Sequence, residues 1–260
     1  MQGPSLGNED KTLSKSFELL QRLEKEQELS ASASTPPVLP PAVLFSGIPE
    51  ARLERMGTEE VVKMVQRVFR SQGPDPTRVV TFSGVDHGNG CSWICVSAAL
   101  TLANQTQGSI CIVDGNLRTP SLQRYFNVEN RLGLAEAVVH PGPIRDFVQP
   151  TSVKNLWVLT AGARASQTPL SSDALLARIT ELRSEFDHVL IDTPPANLYA
   201  DAISLARFTD GIVLVLQSNF TRREAALKAK ESFETAKVRL LGAVLNKRTF
   251  PIPQGVYERL

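Results

Sequence analysis

The stretch GVDHGNGCSW, at residues 84–93, has the residue types that hold a phosphate group. It lies between two apolar runs, RVVTFS and ICVSAALTLA, which predict a strand before it and a helix after it. Gly88 and Gly90 allow backbone N–H groups to converge where a Cβ would intrude. The helix that begins near Cys91 directs its positive end to the same point, and Ser92 occupies the place of a Mg²⁺-binding hydroxyl. The stretch predicts a phosphate-binding loop, although an ordinary tight turn has a similar composition.

Two aspartates end other apolar runs of the chain. Asp114 ends SICIVD, and Asn116 and Arg118 follow it on the same segment. Asp192 ends DHVLID, before a stiff Thr-Pro-Pro turn. A carboxylate at the end of a buried strand is costly unless it faces a cation or a polar ligand. For either aspartate alone a helix cap or a turn is the better explanation, but the two together with the glycine-rich loop favour a Mg-nucleotide site.

Cys91 allows a second kind of chemistry at the loop. A thiol at a helix N-terminus can have a lowered pKa, which would make it reactive and sensitive to oxidation. A metal site built from Asp86, His87, Cys91 and Cys95 is conceivable, although this spacing matches no standard zinc pattern. The simpler interpretation, which we favour, is a thiol that only packs.

The elements that must position these residues alternate from residue 78 onward. Short β-branched runs lie at 78–83, 109–114, 156–160, 187–192, 211–216 and 239–245, and helical stretches lie near 91–106, 120–138, 168–184, 200–208 and 221–237. Apolar runs joined by helices are typical of a parallel sheet covered on both faces. We therefore expect an α/β fold, a three-layer doubly wound and mainly parallel sheet. Ligands bind such sheets at the carboxyl ends of the strands, where all three motifs lie.

The first 50 residues have a different pattern. Apolar residues at helical spacing over 12–29 predict a narrow amphipathic helix, and the Pro/Ser-rich stretch 30–42 predicts a linker. A further helix is predicted over 58–70, with Thr58 as its N-cap. We expect residues 1–50 to form this helix and linker, and residues 51–260 to form the nucleotide-binding domain.

Composition excludes several function classes. The chain of 260 residues has a formal charge of +1, which does not favour nucleic acid as a partner. Its apolar stretches are shorter than the roughly 20 residues of a membrane-spanning helix. The three cysteines do not form a disulfide framework. We expect a soluble cytoplasmic protein.

Residues 78–250 resemble the bacterial tyrosine kinases of capsule and exopolysaccharide export, which are relatives of the MinD/ParA-type ATPases. The segments that carry the resemblance include DGNLRTPSLQRYFNVENRLGLAEAV, DHVLIDTPP, DAISLARFTDGIVLVLQSNFTRREAALKA and LLGAVLN. LSKSFELLQRLEKEQE is similar to the N-terminal helix of exopolysaccharide-associated members. The resemblance implies a P-loop NTPase fold that binds ATP or ADP with Mg²⁺. Its implied partners are a membrane-spanning polysaccharide chain-length regulator, which would hold the protein at the inner face of the plasma membrane, and further copies of the chain.

The resemblance also implies roles for single residues. Asp114 and Asp192 would be the catalytic aspartates of the second Asp-containing motif and of Walker B. Together with Ser92 they would hold Mg²⁺, partly through water. Nucleotide contacts are implied for Gly88, Asn89, Gly90, Cys91, Ser92, Trp93, Arg118 and Asn246, and Asn246 would face the adenine.

The sequence departs from the kinase pattern at the phosphate site. Cys91 replaces the Walker A lysine, which contacts the β- and γ-phosphates. Loss of such a charge-assisted contact costs roughly 1.5–3 kcal/mol of binding free energy. Arg118 matches an arginine that the family already has, and the sequence offers no obvious replacement for the lysine. Asn116 replaces the second aspartate of Asp-x-Asp-x-Arg and cannot act as a general base.

Two further departures affect self-association and phosphorylation. Active members have Glu-x-x-Arg-x-x-Arg before the first strand, where this chain has Glu60, Lys63 and Gln66, with Arg67 one place out of register. Lysine does not reproduce the bidentate fork of arginine, so kinase-type ring formation is not expected. The C-terminal tyrosine cluster is missing, and Tyr257 is the lone candidate acceptor.

All four departures weaken one activity, so we expect a degenerate Walker A site that binds nucleotide but transfers phosphate poorly. Such a pseudokinase could signal nucleotide occupancy through the N-terminal helix and the surface around Thr221–Lys228. Three alternatives remain at this point: an active autokinase with a variant mechanism, a MinD/ParA-like positioning ATPase, and a nucleotide-free scaffold.

Overall fold

The computed structural model describes residues 50–69, 76–163, 165 and 172–247. Its strands are β1 (Val79–Gly84), β2 (Ile110–Asp114), β3 (Gln149–Pro150), β4 (Leu156–Leu159), β5 (His188–Thr193), β6 (Gly211–Gln217) and β7 (Leu240–Asn246). Its α-helices are α1 (Glu50–Phe69), α2 (Cys91–Gln105), α3 (Leu122–Phe126), α4 (Leu134–Val139), α5 (Ser172–Glu185), α6 (Asp201–Ala206) and α7 (Arg223–Thr235), and Ile144–Asp146 form a 3₁₀ turn.

The strands form one mainly parallel sheet, as expected from the alternating pattern. Their order is β3-β4-β2-β5-β1-β6-β7, and the pairing of β3 with β4 is antiparallel whereas the other pairs are parallel. Strands β1 and β2 are buried along their whole length, because helices cover both faces. The predicted three-layer doubly wound α/β fold is confirmed.

Alternate side chains of each strand face the two helix layers. Val80 and Phe82 of β1 pack in one core with α1 and α2, and Val79 packs in a second core with α5. A third core lies between β6 and the helices α6 and α7, around Phe233. The period of two in a β-strand produces this division, since successive side chains point to opposite faces. The sheet is therefore fixed from both sides, and the loops at its carboxyl edge are attached to a rigid base.

Two predicted helix boundaries are wrong. Helix α1 begins at Glu50, so Thr58 lies in its interior and is not an N-cap. The residues before Thr58 are mostly good helix formers, and a single interior glycine costs only about 1 kcal/mol. The helix predicted over 120–138 is divided into α3 and α4, because Asn127 takes a left-handed conformation, with φ of 51°, and ends α3.

Several predictions concern residues outside the described part. The amphipathic helix over 12–29, the linker over 30–42 and Tyr257 all lie there. The boundary between residues 50 and 51 therefore stays a prediction. Among the helices that are described, none has the length and apolar character needed to cross a membrane.

Candidate nucleotide site

The loop between β1 and α2 has the backbone shape of an anion-binding turn. Gly88 and Gly90 have φ of 79° and 81°, in the left-handed region that glycine adopts without strain. The side chain of Asn89 accepts a hydrogen bond from the Asp86 N–H at 2.8 Å, which closes the turn. No side-chain hydrogen bond caps the N-terminus of α2 at Gly90. The first N–H groups of this helix are therefore available to an anion.

The two strand-end aspartates lie side by side and are both fully buried. Asp114 and Asp192 are register partners across β2 and β5. Asp114 accepts hydrogen bonds from the backbone N–H groups of Ser121 at 2.9 Å, Leu122 at 3.0 Å and Asn116 at 3.2 Å. The cap role considered for Asp114 is therefore real, because its carboxylate binds the start of α3.

Asp192 differs from its neighbour because its carboxylate is unsatisfied. Neither oxygen has a hydrogen-bond partner of good geometry within the described residues. The Ser92 hydroxyl and the Cys91 thiol nevertheless lie close enough to lower the pKa of Asp192. Buried carboxylates normally have partners, so an orphaned one beside a glycine-rich loop indicates a place for a cation.

Burial makes both aspartates weaker acids. Burial and the negative charge of Asp114 raise the pKa of Asp192 to about 7. Burial raises the pKa of Asp114 to about 6, and the N–H donors of Leu122, Ser121 and Asn116 lower it in part. Near neutral pH the pair carries less than its full negative charge, and a bound divalent cation would favour full ionisation of both groups.

The Cys91 thiol is not activated by the helix N-terminus. Burial and the nearby charge of Asp192 raise its pKa well above the usual value, so it stays protonated. The position of the sulfur beside a carboxylate favours the packing role over a reactive thiol. The conceivable metal site around Asp86, His87, Cys91 and Cys95 is absent as well, since the described residues contain no metal-binding cluster of His, Cys, Asp and Glu side chains.

The loop after β2 uses its polar side chains for its own structure. Asn116 accepts a hydrogen bond from the Thr119 N–H at 3.1 Å and donates one to the Thr119 hydroxyl at 3.0 Å. Arg118 binds Asp201 at 2.8 Å, and its guanidinium lies 4.3 Å from the centre of the Tyr199 ring. Arg118 is thus directed to the β5–α6 connection.

Tyr199 connects Arg118 to the phosphate loop, and the sequence did not indicate this role. Tyr199 makes an edge contact with the His87 ring, with 5.9 Å between centroids, and its hydroxyl lies 3.4 Å from His87 Nε2. The series Asp201–Arg118–Tyr199–His87 therefore joins three loops at the mouth of the site. Each pair spans many residues of sequence, so no local pattern indicates it.

The end of β7 binds the phosphate loop directly. Asn246 Nδ2 donates to the backbone oxygen of Asn89 at 2.9 Å, and a Cβ at Gly90 would lie 2.3 Å from the same nitrogen. The adjacent Lys247 donates from Nζ to the backbone oxygen of Gly88 at 2.7 Å. The ammonium of Lys247 therefore lies at this loop, bound to a backbone carbonyl.

The remaining predicted residues are exposed on the surface of the domain. Trp93, in the first turn of α2, is 38% exposed. Glu60 and Lys63 form an exposed ion pair within α1 at 3.2 Å. Lys63 is therefore engaged along its own helix, where an active member would have an arginine.

The family model described as ParA, NUBPL iron-transfer P-loop NTPase, matches residues 77–258. Tyrosine-protein kinase YwqD of Bacillus subtilis (strain 168) is 35% identical over 161 residues, which cover 61% of this chain and 68% of YwqD. The chain belongs to the bacterial tyrosine-kinase family of ParA-type P-loop NTPases.

Solved structures agree with the fold of this family. The chimerical protein CapA2B2 superposes with a TM-score of 0.70 at 25% identity, over 82% of this chain and 92% of that one. The septum site-determining protein MinD of Pyrococcus horikoshii OT3, solved with Mg-ADP, superposes with a TM-score of 0.56 at 22% identity, over 70% and 76%. The likeness to MinD extends to the fold alone.

Proposed function

We propose that this tyrosine-kinase-family chain binds Mg-ATP or Mg-ADP in capsule or exopolysaccharide production and transfers phosphate poorly. The observation that carries the proposal is Asp192, a fully buried carboxylate that has no hydrogen bond of good geometry within the described residues, at the edge of the phosphate loop. It indicates a cation site. The neutral thiol of Cys91, where the family has a lysine, indicates that the charge needed for transfer is missing.

Binding is supported by three features that do not need the lysine. The glycine-rich turn has the left-handed glycines of an anion-binding loop, the N-terminus of α2 has no side-chain cap, and the buried aspartate pair would be stabilised by a divalent cation. We assign Mg²⁺ to Ser92, Asp114 and Asp192, partly through water. We assign the nucleotide to Gly88, Asn89, Gly90, Cys91, Ser92, Trp93, Arg118 and Asn246. The MinD structure, which has the same fold, contains Mg-ADP, a ligand of the class proposed here.

Impaired transfer is supported by the state of two side chains. Cys91 is uncharged, so it cannot offset the negative charge that builds up on the transferred phosphoryl group. Asn116 is engaged with Thr119 and offers no carboxylate. A positive charge at the phosphates and a carboxylate base stabilise the transition state more than the bound nucleotide. Their loss therefore reduces the rate of phosphate transfer more than the affinity for nucleotide.

The proposed partner is a membrane-spanning chain-length regulator, which would bring the protein to the cytoplasmic face of the membrane. Asn89 of the loop donates to the Thr221 hydroxyl at 3.4 Å, and Thr221 also accepts from the Gln217 N–H at 2.8 Å. Nearby, Phe220 and Leu227 are 62% and 44% exposed. A contact from the loop to an exposed apolar surface supports a role in reporting nucleotide occupancy to a partner.

Phosphotyrosine formation tests the proposed defect in transfer. The protein and YwqD are incubated with Mg-ATP and a glutamate–tyrosine copolymer, so that both have the same phosphate acceptor. We expect labelling about 100-fold or more below that of YwqD, because a lost electrostatic contact commonly costs this much in turnover. Labelling equal to that of YwqD would contradict impaired transfer and leave the binding proposal intact.

A further inference from the structure

Two consecutive residues at the end of β7 bind two consecutive carbonyl groups of the phosphate loop. Lys247 Nζ donates to the Gly88 oxygen at 2.7 Å, and Asn246 Nδ2 donates to the Asn89 oxygen at 2.9 Å. The bonded residues are more than 150 positions apart in sequence. Residues 246–247 therefore attach the last strand of the sheet to the loop that begins α2.

The orientation of these bonds has a consequence for the loop's N–H groups. In a trans peptide unit the C=O and N–H point in opposite directions. The Gly88 carbonyl points to Lys247, so the Asn89 N–H of the same unit points away from it. By the same geometry, the Gly90 N–H points away from Asn246. Hydrogen bonds to the carbonyls also polarise the peptide units and make these N–H groups better donors.

The backbone of Lys247 indicates that its position is held by these contacts. Its φ of 54° is in the left-handed region, which is unfavourable for lysine. Lys237 has a similar φ of 58°, but it follows the end of α7, where a left-handed residue is normal, and Val238 N–H bonds the Phe233 oxygen at 2.8 Å. Lys247 follows a strand instead. Such conformations persist where surrounding contacts determine them, commonly at ligand clamps.

The ammonium of Lys247 is not neutralised by an acid. Its second contact is the uncharged Gln217 Oε1 at 3.5 Å, and no carboxylate of the described residues forms an ion pair with it. Its positive charge therefore adds to the potential around the loop, where the family has the lysine that Cys91 replaces.

We propose that Lys247 is a positioning residue that holds the loop in its phosphate-binding shape, together with Asn246. It acts through the carbonyl of Gly88 and directs the N–H groups of Asn89 and Gly90 to the nucleotide phosphates. It thereby supplies part of the stabilisation that the loop lost with its lysine. The link to phosphate rests on the proposed nucleotide binding, whereas the link to loop shape does not.

Two measurements on the full chain test this role. Lys247→Met removes the ammonium, Lys247→Arg keeps a donor, and Lys237→Met is the control with the same substitution at a similar φ. In the nucleotide-free protein, we expect amide exchange of the 84–92 segment to quicken about tenfold in Lys247→Met, with little change in Lys247→Arg and none in Lys237→Met. Affinity for a fluorescent Mg-ATP analogue should fall about tenfold in Lys247→Met alone.

The outcomes separate this proposal from the proposed function. Unchanged loop exchange in Lys247→Met would overturn the clamp, whatever the affinity. Faster exchange throughout the molecule would also overturn it, since the residue would then serve general stability. Should the wild-type chain bind no analogue, the proposed function fails, and the exchange of the loop amides still decides the role of Lys247.

Discussion

Replacement of Asp192 by asparagine is expected to stabilise the nucleotide-free protein above pH 7 by an amount on the order of 2–4 kcal/mol. Asp192 is fully buried, and burial with the charge of Asp114 raises its pKa to about 7. An aspartate in an unfolded chain has a pKa of about 3.9. The native state therefore binds this proton more tightly, and ionisation at higher pH destabilises the fold.

The sign of the effect follows from the raised pKa. Below about pH 4 the protonated Asp192 contributes its full share to the free energy of unfolding. This contribution is lost as the pH rises through about 7 and the buried carboxyl ionises. We expect the wild-type free energy of unfolding to decrease across this window, measured by urea unfolding at several pH values. The decrease should be much smaller in Asp192→Asn. Asp146→Asn, at an exposed carboxylate, should leave the wild-type profile unchanged.

The same substitution should have the opposite effect on ligand binding. Asp192 is the carboxylate without a well-formed hydrogen bond beside the loop, so its loss would remove a proposed ligand of Mg²⁺. We expect the affinity for Mg-ATP to fall about tenfold or more, and the dependence of binding on Mg²⁺ to weaken. An Asp192→Asn protein that unfolds with the wild-type pH profile and binds Mg-ATP normally would contradict this account of the carboxylate.

Cys91→Lys is expected to increase the affinity for ATP about 10- to 100-fold. The substitution restores the charge-assisted contact to the phosphates, which contributes about 1.5–3 kcal/mol. The new ammonium would also lie beside Asp192, close to where the Cys91 thiol lies now, and would give that carboxylate a partner. The pKa of Asp192 should therefore fall, and the loss of stability with rising pH should weaken.

Cys91→Ala is the matched control, because it removes the thiol without adding charge. Titration of a fluorescent ATP analogue should give similar affinities for Cys91→Ala and wild type. Full kinase activity is not expected from Cys91→Lys alone, because Asn116 is unchanged. Equal affinity in the lysine and alanine variants would mean that the absent charge does not limit binding.

Most of the fold follows from local patterns in the sequence. The six predicted β-branched runs end within one residue of the observed strands, because buried parallel strands require continuous apolar segments. The two-residue strand β3 has no such pattern and was not predicted. Two errors in the helix boundaries each depend on a single residue. Helix α1 continues through Gly57, whereas Asn127 ends α3, and the effect of each residue depends on the surrounding structure.

The site, like the fold, is only partly predictable from local patterns in the sequence. The glycine-rich loop, Asp114 and Asp192 are visible in sequence because each directly follows an apolar run. The contact of Lys247 with the loop is not, since it depends on β7 lying beside β6 at the edge of the sheet. The different roles of Asp114 and Asp192 also depend on tertiary structure. Both aspartates end a strand, but backbone N–H groups at the start of α3 donate to Asp114, whereas Asp192 has no hydrogen bond of good geometry.

The central claim is that this chain retains nucleotide binding although it has lost the Walker A lysine. Equilibrium titration of the wild-type protein with a fluorescent ATP analogue, in the presence and absence of Mg²⁺, tests it most directly. We predict saturable binding with a dissociation constant below about 1 mM, stronger with Mg²⁺ and reversed by ADP. No binding at millimolar concentration, with or without Mg²⁺, would contradict the claim and favour a nucleotide-free scaffold.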